Sequence, residues 1–189
     1  MINKILILIL LPIISFSQGI EFTDMKSIDL IFPEKKIGLK NWNIVNDDVM
    51  GGISKSFLSI NDENNLIFSG NVSLKNNGGF ASTRMGLDRV SLDGIRSFKI
   101  KFRGDGNMYK IRVRQNNRRA AYSSNFKSVK DKWLEFNIPI EGFTPSWRGY
   151  SYTSYPAIET EKISSIGIQI SDKQEGEFKL EIKYIKAIF

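Results

Sequence analysis

Five runs in this chain alternate apolar and polar residues with a period of two, and that pattern restricts the fold more than any other feature. Phe98, Ile100 and Phe102 alternate with Lys99, Lys101 and Arg103; Tyr109, Ile111 and Val113 alternate with Lys110, Arg112 and Arg114. Leu134, Phe136, Ile138 and Ile140 keep the same period, as do Ile166, Ile168 and Ile170, and then Phe178, Leu180, Ile182 and Tyr184. In an extended chain successive side chains point to opposite faces, so each run has one face to bury and one to leave in water. No stretch sustains the 3.6-residue period of a helix. Ser56 to Ile60 and Leu66 to Leu74 flank the turn residues Asn61, Asp62, Asn64 and Asn65 and read as a hairpin, with Gly79 to Met85 as the next strand. The chain has 189 residues, 41% of them hydrophobic and 25% charged, enough for one buried core. An antiparallel, all-β sandwich is the expected class.

Two Gly-Gly pairs punctuate the first half. Asn46-Asp47-Asp48-Val49-Met50-Gly51-Gly52-Ile53-Ser54 and Asn76-Asn77-Gly78-Gly79-Phe80-Ala81-Ser82 each place Asn or Asp before the glycines, then an apolar residue, then Ser. Gly serves where the backbone needs positive φ or where another chain comes too close for a Cβ, and Asn or Asp can bond a neighbouring backbone group. The repetition predicts two special corners facing each other. They are either turns of the scaffold or loops presenting Asp47, Asn76 and Asn77 to a ligand.

These two segments, read as N-D-x-V-M-G-G-x-S and V-S-L-x-N-N-G-G-F-A-S-x-R, resemble the signature of the CIA30 family, the complex I intermediate-associated protein 30 domain. The resemblance continues through Gly104-Asp105-Gly106, Pro145-Ser146-Trp147-Arg148-Gly149 and Ser171-Asp172-Lys173-Gln174, and spans residues 40–189. It implies the jelly-roll of galactose-binding-like domains, a choice among sandwiches that periodicity does not make. The positions on its motifs are Asn46, Asp47, Met50, Gly51, Gly52, Ser54, Asn76, Asn77, Gly78, Gly79, Phe80, Arg84, Asp105, Trp147 and Arg148.

The N-terminus has a different character. Lys4, the apolar run Ile5 to Phe16, and the small residues Ser15 and Ser17 read as an export leader over residues 1–17, cleaved before Gln18, or as an uncleaved anchor. Residues 18–39 form a lead-in whose apolar run Ile28 to Phe32 reads as an entry strand or a turn of helix. A periplasmic or secreted location is expected.

The chain contains no Cys and no His, which removes Ser-His-Asp and Cys-His catalysis and the usual zinc sites. Asp47 and Asp48 are adjacent, and an extended backbone would send them to opposite faces rather than pair them as acid and base. The chain is therefore read as non-enzymatic, with no metal and no cofactor expected; an Asp-x-Asp-x-Asp-Gly calcium loop is missing from the sequence.

Charge and aromatic residues complete the picture. Lys and Arg number 27 against 20 acids, a formal charge of +7. If the runs on either side of Gly104-Asp105-Gly106-Asn107 pair as a hairpin, Lys99, Lys101, Arg103, Lys110, Arg112 and Arg114 share one outer face. That face is either relieved by acids on neighbouring strands or a docking surface for an acidic protein, an anionic glycan or phospholipid head groups, with peripheral membrane association. Nucleic acid is disfavoured, since no known binding motif occurs. Trp147 to Tyr152, with Tyr155, form an aromatic loop that either packs over the sandwich end or stacks on sugar rings or a protein.

The family resemblance implies a protein-binding, chaperone-like assembly factor whose partner is a respiratory-complex subunit or assembly intermediate. The implied fold and the Trp147 loop suggest instead an extracytoplasmic carbohydrate-binding module. The family's mitochondrial members act in the matrix, whereas the leader directs this domain outward, so the resemblance and the leader point to different compartments.

Overall fold

The computed structural model describes residues 26–31, 36–87 and 90–189. The expected leader and most of the lead-in lie outside those residues. Among the described residues thirteen strands appear in chain order: β1 (Ser27–Asp29), β2 (Trp42–Ile44), β3 (Lys55–Ile60), β4 (Leu66–Val72), β5 (Ala81–Gly86), β6 (Ser97–Gly104) and β7 (Met108–Gln115), followed by β8 (Ala121–Lys127), β9 (Trp133–Pro139), β10 (Thr144–Trp147), β11 (Tyr150–Ser151), β12 (Ile163–Ile170) and β13 (Gly176–Ile188).

They form two antiparallel sheets. One runs β3-β4-β13-β6-β9, with β1 also paired to β13; the other runs β11-β10-β8-β7-β12-β5-β2. The long strand β13 takes β4 along residues 176–182 and β1 along 186–188, so the lead-in does supply an entry strand, followed by a 3-10 turn at Lys36–Asn41. The apolar phases of both sheets meet between them. Phe68, Phe98, Ile100, Phe102 and Leu180 face Tyr109, Ile111, Tyr122, Phe126, Ile166 and Ile168, all essentially without solvent contact. Aromatic edges lock this core, as where Phe102 meets Phe126 at 4.8 Å and Phe136 at 5.3 Å. The architecture is a jelly-roll β-sandwich, as expected.

Two expectations fail, each for a physical reason. The segment Gly104 to Asn107 is not a hairpin: β6 pairs with β13 and β9, while β7 pairs with β12 and β8, so the turn carries the chain from one sheet to the other. Asp105 holds that crossover. One carboxylate oxygen accepts from Asn107 N–H at 2.9 Å, and the other accepts from the Tyr109 hydroxyl at 2.9 Å and Lys179 N–H at 2.8 Å. Lys99, Lys101 and Arg103 therefore lie on one outer face and Lys110, Arg112 and Arg114 on the opposite one. The single basic face does not exist.

The second concerns β13. A register shift between Ile182 and Tyr184 resets the alternation, so Ile185 and Ala187 enter the core and Tyr184 turns outward. There its hydroxyl bonds Glu135, and Lys186 lies 4.9 Å from its ring.

Candidate functional site

The twin glycine corners meet, and the group between them is the Asp47 carboxylate. Residues Asp47–Met50 form a 3-10 turn, not an extended segment, which buries Asp47 and leaves Asp48 in solvent. The two carboxylates remain unpaired for this reason rather than through strand alternation. Oδ1 of Asp47 accepts from Ser54 N–H at 2.9 Å. Oδ2 accepts from the Ser54 hydroxyl at 2.5 Å, Gly79 N–H at 2.7 Å and Phe80 N–H at 3.2 Å. Gly52 lies against the Asp47 side chain, and a Cβ on Gly78 would stand 2.7 Å from Oδ2, so neither position has room for a side chain. The partner glycines Gly51 and Gly79 carry φ of 88° and 130°, which L side chains rarely adopt.

Burial alone would raise the Asp47 pKa, but the hydrogen bonds from the Ser54 hydroxyl, Gly79, Phe80 and the Ser54 amide outweigh it and hold the group below the ordinary range. Its acceptor capacity is spent inside the protein. Asn46 behaves alike: its carbonyl oxygen accepts from the Ser56 hydroxyl at 2.7 Å and Ser82 N–H at 3.4 Å. Ser54 links the same corner to the end of β4, accepting from Ser73 N–H at 3.0 Å. Asn46, Asp47 and Ser54 thus act as staples. Asn76 and Asn77 sit exposed in left-handed backbone at φ of 55° and 59° and shape the second turn, while Phe80 is half-buried.

The surface of this corner is apolar. Val49, Met50, Ile53 and Phe57 are 72%, 57%, 49% and 64% exposed. A groove of about 380 Å³, lined by Asn46, Asp48, Ile53, Lys55 and Phe57 among others, runs beside β3, an edge strand of its sheet. Of the residues picked from sequence, only Met50 belongs to this apolar set; its companions escaped notice because their exposure depends on tertiary packing.

The remaining predicted residues lie elsewhere. Trp147 closes β10, and Arg148 and Gly149, both at positive φ, form the two-residue turn into β11. Arg119 and Arg148 place guanidinium carbons 5.0 and 4.8 Å from the Trp147 ring, so the ring is already engaged. Tyr150 is the exposed aromatic at 80%, and Tyr152 packs on Tyr155 at 4.7 Å beside a cleft of about 410 Å³. On the six-stranded sheet, two of the three cations have acids: Lys99 pairs with Glu135 at 2.9 Å and Arg103 with the buried Glu181 at 2.7 Å. Arg84 belongs to neither the corner nor the loop, but stands on the outer face of the seven-stranded sheet with Arg112 and Arg114.

A jelly-roll sandwich with a stapled double-glycine corner defines the class. Among solved structures, the fold is similar to the family 11 carbohydrate-binding module of cellulase Lic26A-Cel5E from Clostridium thermocellum, with a TM-score of 0.61, 15% identity, and 87% of this chain and 94% of that one covered. It is also similar to part of the agarase AgWH50C, with a TM-score of 0.58 and 14% identity over 85% of this chain and 24% of that one. At these identities the likeness is one of fold.

The chain belongs to the CIA30 family. The family model, complex I intermediate-associated protein 30, matches residues 30–182. Mitochondrial complex I intermediate-associated protein 30 of Mus musculus is 27% identical over 176 residues, covering 82% of this chain and 53% of that protein. A probable counterpart in Caenorhabditis elegans is 30% identical over 167 residues, covering 76% and 49%. The chain spans about half the length of these curated relatives.

Proposed function

We propose that this domain is a non-enzymatic binding protein that holds an assembly intermediate of a membrane-bound respiratory complex through the apolar corner around Met50. The observation that carries this reading is the set Val49, Met50, Ile53 and Phe57, four large apolar side chains in solvent on a backbone held by Asp47. A monomer gains nothing from displaying them, and a rigid apolar patch beside an edge strand suits an extended segment of a protein subunit. Family membership supports this class of partner. Residues 1–17 are read as an export leader, which supports an extracytoplasmic location; N-terminal sequencing of the processed chain should then begin at Gln18.

The test is capture from native membranes in mild detergent with the full chain as bait, beside Met50→Asp/Phe57→Asp. Wild type recovers a respiratory-complex subunit and the variant does not. Recovery of none, or equal recovery by both, overturns the proposal.

A carbohydrate-binding reading is favoured by one observation, the exposed Tyr150 ring in the loop whose Tyr152 packs on the cleft-lining Tyr155. It requires saturable binding on a glycan array that Tyr150→Ala removes. Trp147 is a poorer candidate for stacking because two guanidinium groups already lie over its ring.

A further inference from the structure

Across the middle of the seven-stranded sheet, the register aligns Asn43, Arg84, Gly167, Arg112, Ser123 and Thr144 in one row. Arg84 and Arg112 flank Gly167, so no side chain separates them, and their Cα atoms are about 10 Å apart, two strand spacings. Arg114 follows Arg112 on the same face. All three are half-buried. Among the described residues no acid pairs with any of them; the Arg114 guanidinium donates to the Arg119 carbonyl at 3.4 Å. The acids at the two ends of β7 are occupied elsewhere, Asp172 with Lys110 at 2.7 Å and Glu159 with Arg118 and Lys162.

We propose that Arg84, Arg112 and Arg114 form a binding site for a doubly charged tetrahedral oxyanion, a sulfate or phosphate group, on the outer face of the seven-stranded sheet. Guanidinium forks that rise from β5 and β7 on either side of Gly167 can reach one group from more than one direction, which suits a tetrahedral group better than one carboxylate. Three positive charges without counter-charge call for more than one negative charge. The ligand comes from solution rather than a bilayer: the neighbours on this face are Ser165, Gln169, Ser123 and Asn125, and Ala121 opposite Arg114 is buried, so they offer no exposed apolar surface to lipid chains. The electrostatics agree with the geometry. Burial, then repulsion from Arg114 and Arg84, lowers the Arg112 pKa to about 10, the condition of a site waiting for an anion. This inference is independent of the apolar corner.

Titration calorimetry and thermal melting of the full chain with sodium sulfate and sodium phosphate, against sodium chloride at equal ionic strength, test it. Wild type binds one sulfate or phosphate and melts higher than in chloride. Arg112→Gln weakens binding roughly tenfold or more and, in chloride alone, melts above wild type because a repelled, desolvated charge is gone. Arg112→Lys keeps the charge but loses the fork and binds more weakly than wild type. Lys101→Gln, on the other sheet, leaves binding unchanged. Equal melting in sulfate and chloride, undiminished binding by Arg112→Gln, or Arg112-dependent sedimentation with phosphatidylglycerol vesicles without any sulfate response would each overturn the proposal.

Discussion

Replacing Asp47 with Asn is the sharpest perturbation of the double-glycine corner, because shape is kept while one acceptor becomes a donor. Asp47 accepts four hydrogen bonds, three at Oδ2 and one at Oδ1. If the Asn oxygen takes the Oδ2 place, its amide group confronts Ser54 N–H, and a buried donor loses its acceptor at a cost of about 1–3 kcal/mol. The three remaining bonds become neutral and weaken by roughly 0.5 kcal/mol each or somewhat more. The sum is about 3 kcal/mol, a large share of an ordinary domain's stability of roughly 5–15 kcal/mol. In melting temperature that is a fall of roughly 6–12 °C for a domain of this size. Urea denaturation should show a lower midpoint at unchanged slope. Because the folded-state pKa of Asp47 is depressed, its stabilisation is present above the unfolded pKa of about 3.9 and is lost as pH falls through the folded value. The gap between wild type and Asp47→Asn should therefore be full near about pH 7 and shrink below about pH 4. A destabilisation under about 0.5 kcal/mol, or a gap that does not change with pH, would refute the assignment of Asp47 as the staple.

Other outcomes follow from the same geometry. Glu181→Gln should destabilise by about 2 kcal/mol in urea titrations, since the buried carboxylate answers Arg103, Asn61 and Asn65 together. Burial pushes its pKa up, yet the bonds from Arg103, Asn65 and Asn61 hold it below the ordinary range, so this contribution too is present above about pH 4.3 and lost in acid. Gly149→Ala should cost roughly 1 kcal/mol, the strain of an L residue at φ of 80°, with faster amide exchange at Tyr150 and Ser151. Met50→Ser/Phe57→Ser should leave the urea midpoint within about 0.5 kcal/mol of wild type, because neither side chain is buried by the fold.

The strands most legible in the sequence were those with clean alternation, such as Phe98 to Arg103 and Tyr109 to Arg114, since one residue in two must face the core. Strand β8 was not, because Ala121, Ser123, Ser124 and Asn125 dilute its apolar phase and only Tyr122 and Phe126 mark it. The facing of the two glycine corners was also foreseeable from their repeated spacing. That Asp47 is buried between them, and so withdrawn from any ligand, was not, because a hydrogen bond across 32 residues leaves no local signal.

By itself the chain determined which faces are apolar, where it turns, and that its chemistry proceeds without Cys or His, for these properties are local. Only the tertiary structure decided which strands are neighbours. Pairing is a contest among distant segments with similar alternation, and its outcome sent β6 and β7 to different sheets. That division separated six cations expected to stand together, gave Lys99 and Arg103 their acids, and set Arg84 from β5 beside Arg112 and Arg114 with none among the described residues.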